Sequence, residues 1–181
     1  ISLWMQMSDL SEPQIFVHKY NGNSNRRAYT FYWHNGLLTA CLSQFGSVPN
    51  CKSTSFNFTL NDWYHVAFTW DVSTDIGKIY VDSIQVGSNL SYDIASINNS
   101  SEPLLVGSNE YIQTFNGLID EVGIWSRALT DEEIAQLYNN GEGLPFEVEI
   151  ENSYPLYTQV TSTHPSLEET TKWFDDEYAS G

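Results

Sequence analysis

Apolar and polar residues alternate in short runs along the first part of the chain, the period-two spacing of half-buried strands. Ile1, Leu3, Met5 and Met7 share one side of a strand over Ile1–Met7. After a turn over Ser8–Pro13, a second strand is predicted over Ile15–Tyr20. The turn formers Asn21–Asn25 separate it from an aromatic strand over Ala28–His34. On that strand Tyr29, Phe31 and Trp33 face one way, and Tyr32 and His34 the other. Asn35-Gly36 is a strong two-residue hairpin signal, with Leu37–Leu42 returning from it. Further strands are predicted over Ser55–Leu60, Trp63–Trp70, Leu104–Gly107 and Phe115–Trp125, and a hairpin joins Ile79–Val81 to Ile84–Val86 through Asp82-Ser83. Trp63 and Trp70 fall on opposite faces of their strand. Short strands with turn chemistry between them predict an all-β, antiparallel sandwich or barrel. No βαβ alternation is present, which argues against a Rossmann-type fold.

One helix is predicted, near residues 131–139. Thr130-Asp131-Glu132-Glu133 has the form of a capping box, with two further acids at the positive end of the helix dipole. Ile134, Leu137 and Tyr138 make one apolar face, and Gly141 offers the stop. From Glu142 onward the composition shifts to nine acidic residues against one base, Lys172. The organisation expected is a domain over 1–143 and an acidic extension over 144–181. Trp173, Phe174 and Tyr178 in that extension are apolar anchors, so an arm that docks on this domain or on a neighbour is expected.

Composition narrows the partners. The 181 residues are 41% hydrophobic and 14% aromatic, enough for a packed core. Seven Lys and Arg stand against 23 Asp and Glu, a net charge of −16. Nucleic-acid backbones and anionic membrane surfaces need clustered cations and are disfavoured. Neutral ligands such as glycans, basic partners and divalent cations remain. No apolar run is long enough to span a bilayer, so no membrane insertion is expected. No signal peptide is visible, and the chain opens in the middle of a strand.

Cys41 and Cys51 flank a segment containing Gly46 and Pro49. Their spacing fits neither a redox Cys-x-x-Cys nor a zinc motif, so a structural disulfide closing a small loop is expected, worth about 3 kcal/mol on the loop-entropy model. Asn-x-Ser/Thr glycosylation signals occur at Asn57, Asn89, Asn98 and Asn99, with Asn57 in a strand-like run and Asn89 and Asn98 in loops. A chain rich in Asn and Ser also generates such signals by chance. Together with the cysteines they favour an extracellular, secreted or surface-displayed setting.

The run from Phe115 to Thr130 resembles the closing motif of laminin-G-like domains in the concanavalin A-like lectin/glucanase superfamily, G-x-I-D-E-V-x-I-W-x-R-A-L-S/T. Glu133-Ile134-Ala135-Gln136-Leu137-Tyr138 follows where that family has E-I-x-x-L-Y. Asp62–Asp71 resembles its W-x-H-V-A-x-T-x-D strand, and Lys78–Asp82 its Y-V-D/N-G hairpin, with Ser83 in place of the usual Gly. Ile1–Met5 and Leu105-Val106-Gly107 are similar to two further strands. The resemblance covers residues 1–143 and implies a jelly-roll sandwich of two antiparallel sheets. The family usually begins earlier, with a strand not found in this sequence. A preceding segment, residues 144–160 or a neighbouring chain is expected to fill that place.

The resemblance implies one metal site. Asp120 matches the aspartate that helps bind a structural calcium in several relatives, and calcium wants 6–8 oxygens. The plainer alternative is that Asp120 caps backbone amides. Glu147, Glu149 and Glu151 alternate as the acids of retaining glucanases do, but Glu149 stands where those enzymes have Asp, and the run follows the closing helix. A solvated acidic face is the better reading. His18, His34, His65 and His164 form no metal-ligand spacing, and no Gly-x-Ser-x-Gly occurs. The expectation is therefore a non-catalytic binding or adhesion module, recognising a glycan or a protein as part of a larger surface protein. The alternative is a structural subunit of a filament, appendage or virion fibre that self-assembles through strand or arm exchange. A glycoside hydrolase or polysaccharide lyase comes third.

Overall fold

A computed structural model describes residues 1–144 except Glu12, Asn23, Ser24, Glu110 and Ile112. The acidic extension, with Glu147, Glu149, Glu151 and the expected arm, lies outside the described residues. Ten strands and one helix follow in order: β1 (Ser2–Met7), β2 (Gln14–Lys19), β3 (Tyr29–His34), β4 (Leu37–Leu42), β5 (Asn50–Ser55), β6 (Trp63–Asp71), β7 (Ile76–Val81), β8 (Ile84–Leu90), β9 (Leu105–Val106), β10 (Gly117–Gly123) and α1 (Asp131–Tyr138). They form two five-stranded antiparallel sheets, β10-β1-β6-β7-β8 and β5-β4-β3-β2-β9.

Strand alternation builds the shared interior. Leu3, Met5 and Met7 of β1 and Val66 and Phe68 of β6 meet Phe16, Phe31, Trp33, Leu38 and Leu42 of the second sheet in one buried cluster. A register shift in β2 lets consecutive residues Phe16 and Val17 both reach this interior. Both short hairpins use the left-handed backbone that two-residue turns demand, with positive φ at Asn35 and Gly36 and at Asp82 and Ser83. Cys41 and Cys51 stand directly opposite each other in the β4–β5 ladder and form the expected disulfide.

Three predicted elements differ from the structure. The strand expected over Ser55–Leu60 is instead β5, one element earlier, because pairing with β4 runs from Leu42↔Asn50 to Leu37↔Ser55 and ends there. The alternation beyond it reflects tertiary packing: Phe56 and Phe58 close an aromatic cluster with Tyr64. Asn57 consequently sits exposed in a loop between them. Asn89, expected in a loop, lies in β8, which extends to Leu90. The closing strand is shorter than Phe115–Trp125, spanning Gly117–Gly123.

The helix covers the outer face of the first sheet. Its capping box is complete, with the Glu133 amide donating to Thr130 Oγ1 and the Thr130 amide donating to Glu133 Oε2. Arg127 pairs with the same carboxylate. Ile134 is fully buried against Ala67, Tyr80 and Leu129. Tyr80 Oη and Lys78 Nζ both donate to Asp131 Oδ1, at 2.6 and 2.8 Å, pinning the first turn to β7. At the other end Tyr138 stacks on Trp4, and Trp4 lies against His65. His65 is 1% exposed and shares a 2.8 Å hydrogen bond with Ser2 Oγ.

That burial pushes the His65 pKa down to about 4. The unfolded chain therefore takes up a proton on this side chain near pH 6.5 that the folded protein refuses. Stability from this source is complete above pH 6.5 and falls as pH drops towards 4, by about 3 kcal/mol in all. Urea midpoints measured from pH 7.5 to 4.5 should fall more steeply in the native sequence than in His65→Gln; equal slopes would remove His65 as the acid-sensitive group.

Candidate functional site

The two sheets treat their second faces differently. In the first, Trp4, His65, Ala67 and Tyr80 point outward and lie beneath α1 and the segment leading to it. In the second, register places Tyr32 opposite Thr39, and Thr39 opposite Ser53. Thr30 lies opposite both His18 and Cys41, and His34 opposite Leu37. Since Phe31 and Trp33 point into the core, these residues occupy the outer face. Among the described residues, no helix lies over it.

This outer face holds rings and hydroxyls. Tyr32 and His34 are half-buried. Thr39 Oγ1 and Ser53 Oγ are hydrogen-bonded at 2.9 Å across β4 and β5. Thr30 Oγ1 lies 3.0 Å from His18 Nδ1 and donates to Val17 O at 3.2 Å. The β-strands of this sheet carry no Asp or Glu at all, in a chain with 23 of them. A carboxylate pair for glycoside hydrolysis has no place among these strand residues. These groups offer aromatic surface for stacking, and oxygens and an imidazole for hydrogen bonds.

The sequence-predicted residues do not converge on one place. Asp120 lies in β10 opposite Trp4, and its Oδ1 accepts the Glu121 amide at 2.8 Å. Among the described residues, no group of three His, Cys, Asp or Glu is placed to hold a metal ion. Backbone carbonyls and waters would have to join this carboxylate to reach calcium's 6–8 oxygens. The adjacent Glu121 has a structural task that sequence reasoning missed. It sits at a bulge with φ +47° and accepts the Leu144 amide, tying the chain after the helix to β10. Burial pushes its carboxyl pKa upward.

The four glycosylation signals are distributed over the surface. Asn57, Asn89 and Asn99 are exposed. Asn98 is half-buried, and its Nδ2 donates to Arg27 O at 3.0 Å. Thr39 and Ser53 were not singled out in the sequence. The place of Thr39 opposite Tyr32 follows from counting outward from the Asn35-Gly36 turn, whereas that of Ser53 depends on β5, which the alternation did not reveal.

Comparison with known proteins agrees with this geometry. Residues 1–135 match the Laminin_G_3 family model of the concanavalin A-like lectin/glucanases superfamily. The chain is 36% identical over 108 residues to human adhesion G-protein coupled receptor D1, a match that covers 58% of this chain and 11% of the receptor. It thus spans about a tenth of that relative's length. Among solved structures, a putative carbohydrate binding protein from Bacteroides ovatus superimposes with TM-score 0.61 at 18% identity, covering 75% of this chain and 39% of that one. The CBM40 of Ruminococcus gnavus IT-sialidase, bound to α2,3 sialyllactose, gives 0.57 at 14% identity, covering 76% and 80%. Two five-stranded sheets, a single short helix closing one of them and a family match over most of its length place this chain in the laminin G-like group of the concanavalin A-like lectin/glucanase superfamily.

Proposed function

We propose that this domain is a non-catalytic extracellular recognition module that binds a glycan on the outer face of the β5-β4-β3-β2-β9 sheet. The observation that carries the reading is the carboxylate-free row of Tyr32, His34, Thr39 and Ser53 on the sheet that α1 does not cover. A sugar ring offers a C–H face to the Tyr32 ring and hydroxyls to Ser53 and His34, while the buried Thr39 hydroxyl positions that of Ser53. Rigid strands hold these groups, so little ordering is needed on binding. Two likenesses support the ligand class: the putative carbohydrate binding protein and the CBM40 with its sialyllactose. The disulfide and the kinship with an adhesion receptor support an extracellular location and a place within a larger surface protein.

Glycan-array screening of the purified chain, followed by calorimetry on the best hit, tests this. Tyr32→Ala is expected to weaken binding about tenfold or more while the melting temperature changes little. Unchanged affinity would move the site elsewhere. The extracellular reading carries a second expectation. When the chain is secreted from eukaryotic cells, peptide mapping should find glycans among Asn57, Asn89 and Asn99, whereas Asn98, held against Arg27, stays bare. A modified Asn98 in natively folded protein would contradict the role given to its side chain.

A further inference from the structure

The loop between β4 and β5 is braced from several directions. The disulfide closes its base. Inside it, the Gly46 amide donates to Ser43 Oγ at 3.0 Å, and Ser43 Oγ donates to Val48 O at 2.9 Å. From outside, the Asn98 amide donates to Ser43 O at 2.7 Å, and the Arg27 guanidinium donates to Gly46 O and Ser47 O. Gly46 has φ +78°, and a Cβ there would fall 2.0 Å from Asn25 O, so only glycine lets the two segments approach this closely.

This bracing holds two large apolar side chains out in water. Phe45 is 77% exposed and Val48 75%. They border a cleft of about 560 Å³ whose remaining wall includes Ile94 and the polar side chains of Gln44, Ser47 and Asn50. Asn50 is itself fixed, with Nδ2 donating to Tyr92 O. Among the described residues, no charged side chain lines the cleft. Arg27, the cation that braces the loop, is occupied by loop carbonyls, and Arg26 is paired with Glu102 at 3.0 Å.

An aromatic ring held out in water by a locked loop meets its ordering cost during folding, which favours ligand capture. Apolar walls interrupted by two amides and a hydroxyl complement a pyranose, which has one C–H face and a rim of hydroxyls. The volume suits one or two such rings. A carboxylated sugar finds no cation among the lining residues and faces a chain of net charge −16. We infer that the 43–49 loop is a second binding site, taking a neutral pyranose stacked on Phe45. The ligand class rests on the glycan-binding reading above; the position does not.

Phe45→Ala and Tyr32→Ala, beside the native chain, separate the two statements on an array of neutral and sialylated glycans. Titrations with lactose and α2,3-sialyllactose follow, with light scattering for self-association. Phe45 is exposed, so its truncation leaves the core untouched. The expected result is a neutral glycan whose binding weakens about tenfold in Phe45→Ala and survives in Tyr32→Ala, with lactose preferred over sialyllactose at this site. Glycan binding lost only in Tyr32→Ala would overturn the second site and leave the sheet-face reading intact. Tighter, Phe45-dependent binding of sialyllactose would overturn the neutral assignment. Self-association abolished by Phe45→Ala would give the loop to a second copy of the chain. Silence of the whole array would remove both readings together.

Discussion

Each sheet of a sandwich has two faces, and only one of them is used by the shared interior. The second must be covered or made compatible with water. Here α1 discharges that requirement for β10-β1-β6-β7-β8, through Ile134 on Ala67 and Tyr80 and through Tyr138 on Trp4. Asp131 ties the helix start to Tyr80 and Lys78, and Glu121 ties the chain beyond its end to β10. The motif that marks this family in sequence is therefore largely a device for closing one face. The other sheet meets the same requirement with threonine, serine, tyrosine and histidine, and those groups are also able to hold a sugar. The recognition proposed for this domain falls to that sheet because packing has already taken the other.

Rigidity links the fold to this function. The strands carrying Tyr32 and Thr39 are paired on both sides, and Ser53 lies on the edge strand β5 paired to β4, in a sheet whose inner face is the core. The 43–49 loop is fixed by a disulfide and by donors from two other segments of chain, at Arg27 and Asn98. Asp75 does similar work at the β6–β7 turn, accepting from Ser91 Oγ, Trp70 Nε1 and the amides of Tyr92 and Asp93. These hydrogen bonds, with Ser91 contributing most, hold its pKa down at about 2. Surfaces ordered before a ligand arrives lose less entropy on binding.

Much of this was legible from local chemistry. Asn35-Gly36, Asp82-Ser83 and the Thr130 capping box act within a few residues, and each forms as read. Alternation also assigned the two faces of β3 correctly. It failed over Ser55–Leu60, where Phe56 and Phe58 alternate because both seek Tyr64 rather than a strand partner. Gly87, Ser88 and Asn89 look like turn residues, yet Gly87 (φ +73°) lies inside β8 where the backbone passes Thr54 closely. The order β10-β1-β6 and the bracing of residues 43–49 by Arg27 and Asn98 join segments tens of residues apart. No local pattern encodes such contacts, so the exposed Phe45 read as an ordinary loop residue.

The unequal cover of the two outer faces can be measured directly by carbethoxylation of histidines, mapped by mass spectrometry, with and without the best array glycan. His34 lies half-buried on the proposed recognition face, and His65 lies beneath the helix. The account predicts that His34 reacts in the free protein and is protected by the glycan, while His65 is spared in both states. Equal reactivity of His65 and His34 in the folded protein, or a His34 indifferent to bound glycan, would contradict it.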